Sequence, residues 1–212
     1  MLRINEIFYS IQGESSFAGL ATVFVRLTGC NLRCSYCDSK YSYTAGEFFS
    51  IDHLLKKVAD FHCQLVCITG GEPLLQKESL SLMKSLCDLG YTVSLETSGS
   101  KSIQQVDSRV KIILDVKTPD SGAENSFLLN NLLWATPQSE FKFVLCSDSD
   151  FEWSENFCRQ YDIFKKYVVL YSPSFGSINP LWLAERILQK KSSARLHLQQ
   201  HKYIWSPEVR SV

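Results

Sequence analysis

The feature that most constrains the fold is a repeated alternation of short apolar, β-branched runs with amphipathic stretches of helical spacing. The runs at residues 21–27, 64–68, 91–95, 110–116, 141–145 and 167–171 read as strands. Between them, residues 51–61 place Leu54, Leu55, Val58 and Phe61 on one helical face, and residues 77–89 do the same with Leu80, Met83, Leu86 and Cys87. Asp52 lies near the start of the first of these helices, and Gly90 follows the second where a left-handed C-cap belongs. Residues 126–135, 151–160 and 180–190 are further helix candidates. Strand followed by helix, repeated along the chain, predicts a parallel α/β sheet with right-handed crossovers, either curled into a barrel or open and doubly wound. In either closure the ligand site lies beyond the C-terminal ends of the strands.

The 212 residues, 45% of them hydrophobic, suffice for one core, and no Gly-, Pro- or Ser-rich linker divides them, so a single domain over residues 1–212 is expected. Lys plus Arg and Asp plus Glu both number 22. A balanced charge gives no electrostatic reason to expect nucleic acid or an anionic membrane as partner. The start, MLRINEIFYSIQGE, lacks a long apolar segment, and no later stretch approaches the ~20 apolar residues of a membrane span. A cytoplasmic location is therefore expected.

Two long non-periodic segments, residues 9–20 and 28–50, flank the first strand, and loops of that length inside a compact domain are usually functional. The second contains Cys30-Asn-Leu-Arg-Cys34-Ser-Tyr-Cys37, directly after the strand, with Gly29 freeing the backbone to turn. The other five cysteines, Cys63, Cys67, Cys87, Cys146 and Cys158, stand in apolar or helical contexts and read as packing residues. Three thiolates on one short loop can occupy three corners of an iron–sulfur cubane, leaving one iron open. Structural zinc is the alternative; it needs a fourth ligand, which His53, His62 or Cys63 nearby, or His197 or His201 from a distance, would have to provide. The Cys-x3-Cys-x2-Cys spacing, with an aromatic residue, Tyr36, before the last cysteine, resembles the radical S-adenosylmethionine superfamily. That resemblance implies a partial (β/α)6-type, TIM-like barrel and a [4Fe-4S] cluster on Cys30, Cys34 and Cys37, with S-adenosylmethionine on the open iron.

A second motif, Thr69-Gly70-Gly71-Glu72-Pro73, ends the next strand. Its glycines admit close approach of a ligand to the backbone, and an exposed Glu72 carboxylate could accept from an ammonium group. Gly-Gly-Glu-Pro is the second mark of the superfamily, where it meets the methionine amino group. Leu95-Glu96-Thr97-Ser98-Gly99 and Asp115-Val116-Lys117-Thr118 end the following strands, so the rim is consistently polar.

The substrate side is read from the segment ending Ile11-Gln12-Gly13-Glu14 and from Arg26. A guanidinium fork matches a carboxylate, and Gln and Glu can pair with a nitrogen heterocycle, so a small, flat, carboxylated substrate is expected. Alternatively, Arg26 could form a salt bridge with Glu14 or Asp38. These segments, with TGGEPLLQ, ETSG, YSPSFG and LHLQQHKYIW in order, closely resemble the 7-carboxy-7-deazaguanine synthase family over nearly the whole chain.

The resemblance implies a lyase that contracts the ring of 6-carboxy-5,6,7,8-tetrahydropterin with loss of ammonia, for queuosine precursor biosynthesis. It assigns Ile11, Gln12, Gly13, Glu14, Arg26, Thr69 and His201 to the substrate. Tyr36, Cys37, Asp38, Gly70, Gly71, Glu72, Ser98 and Lys117 go to S-adenosylmethionine, and Ser39 to Mg²⁺. Many relatives have threonine in place of Ser39 and Ser-Pro-Lys in place of Asp115-Val116-Lys117. A flavodoxin- or ferredoxin-type electron donor and a homodimer also follow from the resemblance. A glycyl-radical activase of the same superfamily and a zinc-stabilised binding module are the rival readings.

Overall fold

A computed structural model describes residues 1–206 and 209–211. The elements, in chain order, are β1 (Leu2–Ile11), β2 (Ala21–Leu27), β3 (Glu47–Phe49), α1 (Ile51–Ala59), β4 (Leu65–Gly70), α2 (Glu78–Asp88), β5 (Thr92–Thr97), β6 (Lys111–Asp115), β7 (Glu140–Leu145), α3 (Asp148–Gln160), α4 (Ile163–Lys166), β8 (Val168–Pro173), α5 (Pro180–Lys190), β9 (Arg195–Leu196) and α6 (His201–Ile204). One sheet carries all nine strands in the order β3-β1-β2-β4-β5-β6-β7-β8-β9. From β2 to β9 every pairing is parallel, whereas β1 runs antiparallel to both β2 and β3. The edges β3 and β9 do not pair with each other, so the barrel stays open, as the partial (β/α)6 reading expected.

Local chemistry explains the helix ends. Ser50 accepts the His53 N–H at the start of α1, while Asp52 sits in its first turn. Asn179 caps α5 and Pro180 opens it. Gly90, at φ +88°, takes the left-handed turn after α2.

Three expectations are corrected. Residues 126–135 form no α-helix; short 3-10 turns at Glu124–Ser126 and Leu129–Leu133 replace it. They are held by Asn131, whose side chain donates to the Gly99 and Lys101 carbonyls and accepts from Ile103 N–H. Residues 9–11, read as the start of a loop, end strand β1. Residues 47–49 within the second expected loop form β3. The β1 signal was obscured by a bulge between Ile4 and Glu6. Leu2 and Ile4 face the main core, but beyond the bulge Ile7 takes that side and Phe8 turns inward, which breaks the two-residue alternation.

The parallel strands are two-faced. Val23, Val25 and Leu27 on β2, Val66 and Ile68 on β4, Val93 and Leu95 on β5, Ile112 and Leu114 on β6, and Phe141, Phe143 and Leu145 on β7 join the core. The intervening residues, Phe24 and Arg26, Thr69, Glu96, Asp115, and Lys142, line a cavity on the opposite face. Strand pleating thus turns one alternating pattern into a hydrophobic layer and a polar floor.

Candidate active site

The cavity at the C-terminal ends of the strands has a volume of about 360 Å³, within the ~300–1,000 Å³ of small-molecule sites. One wall is the cysteine loop. It is anchored by Thr28 N–H to Arg3 O (3.0 Å), Gly29 N–H to Ser42 O (2.9 Å) and Asn31 Nδ2 to Ser100 Oγ (3.1 Å). Cys30, Cys34 and Cys37 are free thiols that all line the cavity. Burial pushes the Cys30 and Cys34 thiols above their ordinary value, opposed in both by the Lys117 ammonium.

Among the described residues, no three His, Cys, Asp or Glu side chains converge to hold a single metal ion. A zinc centre needs its thiolates within about 2.3 Å of one ion, whereas a cubane takes them at separate corners. His197, one candidate zinc ligand, is buried and engaged, its Nε2 accepting the Ser15 N–H at 2.8 Å. Three thiols on one short loop, all facing the cavity, supply the thiolate donors that an iron–sulfur cluster takes.

The Gly-Gly-Glu turn packs directly against this loop. Gly71 N–H donates to Leu27 O at 3.2 Å and Glu72 N–H to Gly29 O at 2.8 Å. A Cβ on Gly70 would lie 2.3 Å from Leu27 O, and one on Gly71 2.2 Å from Gly29 O, so both positions require glycine for protein packing itself. Glu72 corrects the expectation of an exposed carboxylate: it is fully buried. Its oxygens accept from Leu74 N–H (3.2 Å), Thr97 Oγ1 (2.8 Å), Ser98 N–H (2.9 Å) and Ser98 Oγ (2.6 Å). Glu72 fastens the end of β4 to the end of β5 and leaves Gly70, Gly71 and Ser98 to face the cavity.

Tyr36 and Lys117 complete this half. The Lys117 Nζ stands 5.5 Å from the Tyr36 ring centre and 2.8 Å from Asp115 Oδ1. Tyr36 Oη is buried without a hydrogen-bond partner among the described residues, an orphan suited to a ligand atom. Asp38 pairs with Lys202 Nζ (2.8 Å) and accepts from Ser39 Oγ (2.9 Å). The lysine holds its carboxyl below the usual range despite burial. Direct ligand contacts by Asp38 or Ser39 would compete with these bonds.

The opposite half gathers the residues expected at the substrate. Arg26 bonds neither Glu14 nor Asp38; its Nε lies 2.6 Å from Glu6 Oε1, which also accepts from Tyr41 Oη at 2.8 Å. No acceptor among the described residues engages its two terminal nitrogens. Phe8 and Phe24 stack at 4.8 Å beside it and offer a flat apolar wall. Thr69 Oγ1 donates to Glu96 Oε2 at 3.0 Å and Gln12 Nε2 reaches Glu96 Oε1 at 3.4 Å. Burial, followed by the Glu14 charge, raises the Glu96 carboxyl above its ordinary value.

Glu14 goes the other way: its carboxyl is buried, yet Lys142 above all, with His197 and His201, holds it far below the usual range. His201 packs on Gly13, where a Cβ would lie 2.2 Å from Nδ1. It also lines the cavity, as does Ile11. Burial lowers the His201 imidazole, against the pull of Glu14.

Glu6, Tyr41 and Lys142 escaped the motif-based reading, and Glu96 entered it only as part of a polar rim. The signal for Glu96 and Lys142 was the alternation itself, since V-S-L-E and F-K-F each set a charged residue on the face opposite the core residues beside it. Glu6 and Tyr41 had no comparable signal. The bulge hides the first, and the second lies in a short 3-10 turn, Lys40–Tyr43.

Comparison with known proteins agrees with this geometry. Residues 24–120 match the model of the radical SAM superfamily. The chain is 42% identical to the 7-carboxy-7-deazaguanine synthase of Chlorobaculum tepidum, over 100% of this chain and 97% of that one. It is 41% identical to that of Koribacter versatilis over the whole of both chains. With the enzyme of the same name from Thermoplasma acidophilum it shares 38% identity over 95% and 96% of the two chains. The crystal structure of QueE from Escherichia coli superposes with a TM-score of 0.77 over 94% of each chain, at 23% identity, and shows the same fold. With a cysteine loop, a Gly-Gly-Glu turn and a polar inward face in one cavity, and full-length relatives of one name, the chain belongs to the 7-carboxy-7-deazaguanine synthase family of radical SAM enzymes.

Proposed function

We propose that this chain converts 6-carboxy-5,6,7,8-tetrahydropterin into 7-carboxy-7-deazaguanine, releasing ammonia, as a step towards queuosine and related 7-deazapurines. The observation that carries the reading is the inward row Arg26, Thr69, Glu96 and Lys142, which faces one cavity together with the cysteine loop. A [4Fe-4S] cluster on Cys30, Cys34 and Cys37, with S-adenosylmethionine on its fourth iron, would supply a 5′-deoxyadenosyl radical that takes hydrogen from the substrate.

The chain's own residues bind and orient. On the cofactor side, the Gly70–Gly71 backbone, Ser98, Tyr36 and Lys117 would surround S-adenosylmethionine. On the substrate side, the free nitrogens of Arg26 form a fork for the carboxylate. Gln12, Thr69 and Glu14 offer donors and acceptors to the edge of a heterocycle, and the Phe8–Phe24 pair supports its face. Ile11, Gly13 and His201 close the wall behind Gln12. Ser39 lines the cavity, and its hydroxyl would hold Mg²⁺, which prefers oxygen ligands and keeps several waters.

Residues 1–212 would act as one domain, since one sheet joins the strands from Leu2 to Leu196. A homodimer, a cytoplasmic setting and reduction by a flavodoxin or ferredoxin complete the proposal.

The test is turnover of carboxytetrahydropterin by anaerobically reconstituted, reduced protein, with and without magnesium. A brown protein with about four irons and four sulfides per chain should yield 7-carboxy-7-deazaguanine. Absence of that product from preparations that still cleave S-adenosylmethionine would overturn the substrate assignment. Colourless, zinc-loaded protein would overturn the cofactor.

A further inference from the structure

Lys142 belongs to none of the sequence motifs, yet it sits at the centre of the cavity's charge. It projects inward from β7 with its side chain 10% exposed, and its Nζ lies 2.5 Å from Glu14 Oε2 and 3.0 Å from Asp115 Oδ2. Asp115 holds Lys117 Nζ at 2.8 Å, and Glu14 accepts from Gln199 Nε2 at 2.7 Å. Charges of alternating sign therefore run Lys117, Asp115, Lys142, Glu14, from the wall beside the cysteine loop to the wall beside Gln12 and His201.

We propose that Lys142 is a positioning residue that couples the two halves of the site, fixing Glu14 as an acceptor towards the substrate and Asp115 as the anchor of Lys117. The assignment rests on the reading of the Gln12–Arg26 side as the pterin pocket. Its physical basis is the cost of burying one charge without its partner. The groups that face Glu14 are Lys142 from β7, which it shares with Asp115 from β6, Glu96 from β5, Asp38 from the cysteine loop, and His197 and His201 from the C-terminal segment. Of these, Lys142 alone pairs with Glu14 as a permanent cation, because Lys202 is committed to Asp38. Without Lys142, a buried Glu14 would stand among other carboxylates and take up a proton near neutrality.

A hydrogen-bonded carboxylate and a protonated one are different partners for a substrate N–H. Lys142→Met should therefore lower kcat/KM for the pterin roughly 100-fold at pH 7, the scale of a lost alignment at a reacting centre. Activity should recover as pH rises through one ionisation between about pH 6 and 8, the range of buried carboxyls without a countercharge. The wild type and Lys142→Arg should show no such acid limb. Adding Lys142→Met to Glu14→Gln should cost little more than Glu14→Gln alone, because both remove the same acceptor.

The direct readout, independent of the substrate's identity, is ¹³C NMR of the oxidised holoenzyme labelled at the glutamate carboxyl carbon, with the Glu14 signal assigned by its loss in Glu14→Gln. It should stay ionised from pH 5 to 8 in the wild type and titrate near neutrality in Lys142→Met. If Lys142→Met does not fold, the neutral Lys142→Gln carries the same expectation. A wild type without deazaguanine product would overturn the proposed function, and the Glu14 titration would still decide the role of Lys142. A Glu14 signal that stays ionised in the neutral variants, or a pH profile parallel to the wild type, would overturn the coupling.

Discussion

Arg26 uses one nitrogen for the protein and leaves two for a ligand. The Glu6 carboxylate engages Nε at 2.6 Å and fixes the plane of the guanidinium, while Phe8 and Tyr41 flank it with ring centres 5.8 and 5.9 Å away. A charged hydrogen bond contributes about 1.5–3 kcal/mol, so Arg26→Ala should raise KM for the pterin by about 10–100-fold. Iron content should be unchanged, because Arg26 bonds no residue of the cysteine loop between positions 30 and 37; equal loss of bound iron would contradict this division of roles. Arg26 itself was legible in the sequence as a fork beside the cysteines. Its Glu6 partner was not, because that pairing depends on the strand register set by the β1 bulge. Glu72 was legible as important and misread as exposed. Whether a carboxylate at a strand end meets solvent or the neighbouring strand depends on residues 25 and 26 positions further on, Thr97 and Ser98.

At the scale of elements, the contact that shapes the site is between two turns, the cysteine loop after β2 and the Gly-Gly-Glu turn after β4. The strands pair in parallel register from Val23↔Val66 to Leu27↔Gly70, which brings the two turns together edge to edge. Gly71→Ala should prise them apart, since its Cβ would stand 2.2 Å from Gly29 O and 2.7 Å from the Cys30 Cβ. The expected outcome is loss of iron loading with far-UV circular dichroism close to wild type, because the core layer beneath is untouched. Normal iron per chain in that variant would show that the turns move independently. Most elements could be read locally, α5 to the residue, because caps and helical spacing are local signals. The 3-10 segment at Leu129–Leu133 could not, because Asn131 holds it through backbone groups about 30 positions away.

At the scale of the whole molecule, buried charge ties stability to pH. Against the opposing effect of burial, the Glu14 carboxyl is held below its ordinary 4.5 and Asp115 below 3.8 by the cations facing them, and Glu6 below 4.5 by hydrogen bonds from Ser211, Arg26 and Tyr41. Their contribution is full above those values and lost as pH falls through the lowered ones. Burial lowers His197 and His201 from 6.5, so their contribution is full above that pH and declines below it. Glu96, raised from 4.5, works in the opposite sense, alone among these groups. The urea midpoint should therefore be highest above about pH 6.5 and fall steadily towards pH 4, by the linkage of proton uptake to unfolding. A midpoint that rises on acidification would contradict these assignments. By itself, the sequence determined the α/β class, the cysteine loop and the Gly-Gly-Glu turn, because alternation and short motifs are encoded in neighbouring residues. Only the tertiary structure decided that Glu72 is a buried fastener, that Arg26 answers to Glu6, and that Lys142 joins two halves of one cavity. Those facts depend on which strands lie side by side, and in what register.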